Sequence, residues 1–289
     1  MARKKQLIIP VFIPFGGCPH RCIFCDQEGI TGASTLPANA DVVRTVERYL
    51  ATWNDGNRGR SNMKKEIAFY GGSFTALPPD AQEGYLKTAH GFVLSGRVDS
   101  LRVSTRPDCI SRDSLRLLKR YGAGTIELGV QSLSDEVLRL SGRGHTSCDT
   151  VRAVAMIKLS GMRVGMQLMP GLPGDTEDSI VETAEKAVGL RPDLVRLYPT
   201  LVIKDTPLHK MYLDGRYAPW GLGEMVGVLR RVLALFEEAG IPVARVGLHP
   251  SGELERSIVA GPYHPSLRAF VKQGNGKTRD AVIAEGAGR

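Results

Sequence analysis

Short apolar runs alternate with segments of helical spacing along most of the chain. LIIPVFIPF (7–15) is apolar enough for a buried strand, and DVVRTVERYLATW (41–53) carries its apolar residues three and four apart, as a helix does. The same alternation returns with strands predicted at 66–72, 100–105, 125–130, 163–169, 193–200 and 243–248. Helices are predicted between them, over 78–94, 111–122, 134–142, 147–161, 175–190 and 221–240. Ser111 reads as a cap and Gly122 as a stop for one of these helices. Strands that alternate with helices form a parallel sheet wrapped by helices. Six or seven such units in one chain predict an α/β fold: a partial TIM-type (β/α) barrel of about six parallel strands with a C-terminal extension. Residues 1–271 are assigned to this unit. The Gly-rich, charged stretch 272–289 has no clear period and is expected to be a mobile tail.

In such a barrel the chemistry gathers where the strands end. The first strand runs into GGCPHRCIFCDQ (16–27), the second into GGSFT (71–75) and the third into TRPD (105–108). The fourth leads to Gln131 and Ser132, the fifth to MPGLPGD (169–175) and the sixth to YPT (198–200). These loops are expected to ring one mouth.

Composition narrows the chemistry. The chain has 289 residues, 42% hydrophobic and 24% charged, which is ordinary for a globular protein. No apolar run is long enough to span a bilayer, and Pro10 and Pro14 interrupt the N-terminal apolar stretch, so no membrane segment is expected and a cytoplasmic protein is. Of five cysteines, three crowd into eight residues: Cys18, Cys22 and Cys25. That clustering points to a metal in a reducing compartment rather than to disulfides. Two metals satisfy it. A zinc ion could take the three thiolates and His20, in a non-catalytic RNA-binding protein. A four-iron cluster held by three thiolates would keep one iron open to a substrate. Cys109 and Cys148 read as ordinary thiols. The net charge of +8 permits an anionic partner such as RNA.

The C-x3-C-x2-C spacing, with Phe24 before the last cysteine, resembles the signature of the radical S-adenosylmethionine (SAM) superfamily, and YGGSFT resembles its glycine motif on the second strand. The resemblance implies a radical SAM core, a 4Fe–4S cluster on Cys18, Cys22 and Cys25, and S-adenosyl-L-methionine as second cofactor. It implies reductive cleavage to a 5′-deoxyadenosyl radical that abstracts hydrogen from substrate, with an electron donor such as flavodoxin or ferredoxin. Residue by residue, Gly71 and Gly72 would let backbone approach the methionine amino group. Gln131 would lie near the ribose, and Phe24 and the backbone around Leu168 would flank adenine. Arg143 resembles the arginine that pairs with the cofactor carboxylate in oxygen-independent coproporphyrinogen oxidases. Ser73 and Ser104 stand where many relatives have an acidic residue or, for Ser73, threonine, so they would bring a hydroxyl without charge.

STRPD, IELGVQSL, MPGLPGDT and YPTLVIKDTPL together resemble the radical domain of the catalytic subunit of Elongator, which modifies the wobble uridine of tRNA. That subunit has a longer gap between its first two cysteines and an acetyltransferase-like domain after the radical domain. The chain ends where that domain would begin, which counts against an acetyl-CoA-dependent reaction. The expectation is a stand-alone Elongator-like radical enzyme acting in tRNA modification. The alternative is a radical oxidoreductase acting on a small molecule such as a porphyrin. Lys204 reads as a solvated lysine, with phosphate or a substrate carboxylate as the alternative partner. His249 and His264 sit in Pro-rich turns, as structural residues or as donors at the mouth.

Overall fold

The computed structural model describes residues 6–27, 35–56 and 63–273. Seven parallel strands form one sheet curled into a half-barrel: β1 (Gln6–Phe12), β2 (Lys64–Tyr70), β3 (Ser100–Thr105), β4 (Ala123–Gln131), β5 (Arg163–Leu168), β6 (Leu194–Leu197) and β8 (Val243–Val246), hydrogen-bonded in that order. The seventh strand is VARVGL, shortened to four residues. A separate antiparallel pair joins β7 (Val202–Ile203) to β9 (Ile258–Ala260).

The helices are α1 (Asn39–Gly56), α2 (Pro79–Leu94), α3 (Arg112–Arg120), α4 (Asp135–Leu140), α5 (Ser147–Leu159), α6 (Glu177–Gly189), α7 (Pro207–Leu213), α8 (Leu222–Glu238), α9 (Gly252–Ser257) and α10 (Leu267–Lys272). Their starts follow the residues that stop them. Ser111, Thr146 and Thr176 each accept a hydrogen bond from a backbone N–H three residues on and are answered by the side chain there, a reciprocal cap. Helices α7, α9 and α10, of six or seven residues each, lie in stretches where the sequence pattern predicts none. Among the described residues no helix is long and apolar enough to cross a membrane.

The strands alternate in a way that decides the site. Ile67, Phe69, Leu101, Val103, Ile126, Val164, Met166, Leu168, Val195 and Leu197 are fully or almost fully buried in the main apolar core, under the helices. Their sequence neighbours Glu66, Arg102, Glu127 and Arg196 turn the other way and bond to one another inside the barrel. Side chains on a strand point to opposite faces with a period of two, so the strands share a dry outer row, and the inner row is polar on β2, β3, β4 and β6 but apolar on β1, where Ile8, Pro10 and Phe12 face the interior. Leu168 belongs to the outer row and is fully buried there, while Gln167 lines the interior cavity. Arg230 of α8 donates to the carbonyls of Phe270 and Gln273 at the end of α10, and residues 274–289 of the expected tail lie outside the described residues.

Candidate cofactor site

The loop after β1 is fastened to the loop after β2 through backbone. Ile13 N–H donates to Tyr70 O at 2.8 Å and Ser73 N–H to Gly16 O at 2.7 Å. Both loops need glycine to come so close. A Cβ on Gly17, whose φ is +69°, would lie 2.6 Å from Leu77 N; one on Gly72 would lie 2.7 Å from Ile13 O and closer still to Gly16 O. Gly72 is therefore spent on the contact between the two loops. Gly71 has φ +100° and 3.4 Å of room to its nearest neighbour, and it lines the cavity.

The cysteine loop is braced from two further sides. Ile23 N–H donates to Ser141 O at 3.2 Å in the turn after α4, and Ile23 O accepts from Leu208 N–H at 2.8 Å in α7. The string YPTLVIKDTPL thus has a structural role: its β7 and α7 support this loop. Thr206 caps α7 and Pro207 opens it, which is the signal the sequence carries for that helix. Phe24 packs against the small apolar cluster of Val202, Leu208 and Tyr217 and also lines the cavity.

Cys18, Cys22 and Cys25 are free thiols on the wall of one cavity of about 840 Å³. Cys18 Sγ lies 3.5 Å from Ser73 Oγ. Burial, together with the neighbouring Cys22 sulfur, pushes the Cys25 thiol up to about 12. A desolvated thiol loses its proton readily only when a metal cation takes the proton's place on the sulfur. A four-iron cluster takes one thiolate on each of three irons, and three cysteines on one cavity wall supply that set. The donor set fits that cluster.

The same cavity is lined by Phe24, Gly71, Gly72, Ser73, Ser104, Gln131 and Arg143, so every expected cofactor and metal residue except Leu168 shares its wall. Gln131 has φ +66° and its side-chain oxygen accepts from Gln167 Nε2 at 3.2 Å. Arg143 is 5% exposed; its Nη1 donates to Cys22 Sγ at 3.0 Å and its Nη2 to Gly129 O. His249 reaches the cavity rim. His264 does not line it: the ring packs edge-on against Phe270. Lys204 is exposed and away from it.

The inner row of the barrel went unread in the sequence. Arg102 Nε donates to Glu66 Oε2 at 2.9 Å and its other side meets Glu127. Glu127 also pairs with Arg196 at 2.8 Å, and Arg196 donates to Tyr70 and Tyr198 hydroxyls at 2.9 and 3.0 Å. Burial and Glu127 push the Tyr70 phenol upward, so it stays protonated. Glu127, Arg196, Tyr70, Tyr198 and Arg245 form the polar floor of the cavity. Arg106 also lines it, held in a two-pronged pair to Asp108 at 2.9 Å, which is what the TRPD motif builds.

Comparison with known proteins agrees with this geometry. The chain is 26% identical over 246 residues to a tRNA uridine(34) acetyltransferase of Dehalococcoides mccartyi, covering 75% of this chain and 54% of that one. It is 31% identical over 258 residues to Elongator complex protein 3 of Bos taurus, covering 75% and 47%. The chain thus spans about half the length of these relatives. In fold it matches the archaeal Methanocaldococcus infernus Elp3 with a TM-score of 0.72 at 23% identity, over 93% of this chain and 62% of that one. Residues 192–274 match the model of the radical SAM C-terminal domain. Residues 12–187, from the end of β1 through most of α6, match that of the radical SAM superfamily, and with its three thiols on the cavity wall this chain belongs to that family, an enzyme whose cofactors are a 4Fe–4S cluster and S-adenosylmethionine.

Proposed function

We propose that this radical SAM enzyme abstracts hydrogen in the modification of a tRNA nucleoside, with its electron drawn from a flavodoxin or ferredoxin. The observation that carries the reading is the cavity, which runs from the three cysteines to a rim at His249, Ser251 and Glu253. At about 840 Å³ it is in the upper part of the range for small-molecule sites, room for a cofactor and a substrate group together. Two relatives, a tRNA uridine(34) acetyltransferase and Elongator complex protein 3, point the substrate to tRNA. A net charge of +8 suits a polyanionic partner.

When bound, the cluster and SAM supply a 5′-deoxyadenosyl radical by one-electron cleavage of the sulfonium. Cys18, Cys22 and Cys25 would hold the cluster. Gly71 leaves backbone open toward the cofactor, and the Ser73 hydroxyl beside Cys18 and the Ser104 hydroxyl on β3 offer neutral hydrogen-bond partners. Gln131, fixed by Gln167, presents an amide at the cavity wall, and Phe24 joins that wall to the apolar cluster under α7. Arg196, Tyr70 and Tyr198 hold a polar floor that can receive a polar substrate group without unpaired charge, because Glu127 balances the guanidinium.

The test is deuterium transfer. Anaerobic enzyme, reductant and SAM are incubated with tRNA made from deuterated uridine, and 5′-deoxyadenosine is collected. Deuterium in the nucleoside supports tRNA as hydrogen donor. Its absence with uncleaved tRNA, alongside ordinary SAM cleavage, removes tRNA from that role. Binding of tRNA should also weaken steeply as salt rises.

A further inference from the structure

The turn between α4 and α5, residues 141–145, is built onto the cysteine loop at four successive positions. Ser141 O accepts from Ile23 N–H at 3.2 Å. Gly142, with φ +66°, lies against Ile23: a Cβ there would be 3.4 Å from Ile23 Cγ2. Arg143 Nη1 donates to Cys22 Sγ at 3.0 Å. Gly144, with φ +72°, lies flat under the His20 ring, and a Cβ would come within 2.7 Å of His20 Nε2. The positive φ of both positions suits glycine, Gly144 also leaves room for the His20 ring, and Arg143 is the side chain that this turn delivers.

The guanidinium is held from its other edge as well. Nη2 donates to Gly129 O at the end of β4, and a side chain at 129 would crowd it, with a Cβ at 3.3 Å from Nη2. Two of its three nitrogens are therefore engaged by protein, and Nε has no partner. Behind it sits His145, 4% exposed, with neither ring nitrogen hydrogen-bonded. Burial, with Arg143 and Arg106 close by, pushes that imidazole down to about 3, so it adds no charge of its own beside Cys22, and the Arg106 guanidinium is the second cation in electrostatic reach of that sulfur.

We propose that Arg143 donates a hydrogen bond to the Cys22 sulfur in the loaded enzyme and so sets the reduction potential of the cluster, a role separate from any contact with the cofactor carboxylate. An N–H donor and a positive charge at a cluster thiolate stabilise the more negative, reduced state, and hydrogen bonds to the sulfurs are among the levers by which proteins set such potentials. Arg143 is here a positioning residue, acting through Cys22. The proposal rests on Cys22 being a cluster ligand.

The readout is a redox titration followed by electron paramagnetic resonance, on full-length reconstituted protein without SAM. Wild type is compared with Arg143→Met, which removes both donor and charge, and Arg143→Lys, which keeps the charge and loses the planar reach. The midpoint is expected to shift to more negative potential in Arg143→Met, and by less in Arg143→Lys. At one fixed ambient potential the variants then show a smaller reduced signal at equal iron content. An arginine serving only the cofactor carboxylate would leave the SAM-free midpoint where it is and weaken SAM binding alone; an iron-loaded variant with an unshifted midpoint overturns the proposal. Should Arg143→Met load poorly, Arg143→Lys decides by the same criterion. Wild-type protein that takes up no iron removes the cluster assignment and this proposal together, whereas a loaded, unshifted variant removes the proposal alone.

Discussion

Gly72→Ala is the smallest change that should disable the site. The new methyl would lie 2.7 Å from Ile13 O and 2.8 Å from Gly16 N, with Gly16 O nearer still, and all three are backbone atoms that cannot rotate away. Ordinary contact begins at 3.4 Å, so the loops must part by about 0.7 Å at Ile13 alone. That movement stretches the Ser73 N–H to Gly16 O bond, now 2.7 Å, and carries the Cys18 side of the loop away from the glycine loop. Overpacking of this kind costs about 1–3 kcal/mol. A misplacement approaching 1 Å at a reacting centre costs roughly 10²-fold in rate. The assay is 5′-deoxyadenosine formation by the reconstituted variant, with urea unfolding beside it. Expected are a loss of order 10²-fold in nucleoside formation and a lower midpoint of unfolding. Gly91→Ala is the control: its site on α2 is open, with nothing within 4 Å, so it should gain about 0.5–1 kcal/mol and keep full activity. Wild-type rates from Gly72→Ala would refute the claim that the two loops are fixed by that contact.

Three further outcomes follow from the interior. Glu127→Gln strips the shared partner from buried Arg102 and Arg196, and urea unfolding should show a loss of about 3–5 kcal/mol; a loss under about 1 kcal/mol would mean that water or another group already neutralises them. His145, held down to about 3, stays neutral in the folded chain while the unfolded chain protonates near 6.5. Its contribution is therefore complete above pH 6.5 and lost as pH falls from there toward 3, so stability should drop about 1 kcal/mol more between pH 7 and 5.5 in wild type than in His145→Gln; equal slopes would contradict it. Cys22→Ala should fold, since the side chain is small and only one hydrogen bond from Arg143 is lost, yet form no 5′-deoxyadenosine; nucleoside at the wild-type rate would remove Cys22 from the ligand set.

The cysteine triad, the glycine pair and the order of strands and helices were legible because each is a local pattern. C-x3-C-x2-C and GGSFT need no partner to be read, and the helix caps at Ser111 and Thr176 lie within four residues of what they cap. The polar floor was hidden for the opposite reason. KKEIAFY, SLRVST, TIELGV and LVRLY do show the alternation, yet which charges meet depends on register: Glu66 opposite Ser100, and Ser104 opposite Glu127, are facts of pairing between strands far apart in sequence. The same alternation separates Gln167 from Leu168, and it places the leucine side chain in the core. Gly72 lines the cavity and also abuts Gly16, a loop contact that no single segment announces.

Three thiolates that hold a cluster able to cleave SAM are the centre of this chemistry. Its most direct test is anaerobic reconstitution with iron and sulfide, followed by reductant and SAM and quantitation of 5′-deoxyadenosine against bound iron. The expected result is brown protein with about four irons per chain and nucleoside that appears only when both cluster and reductant are present. Fully loaded, reduced protein that leaves SAM intact, or protein that binds one zinc in place of iron, would contradict it.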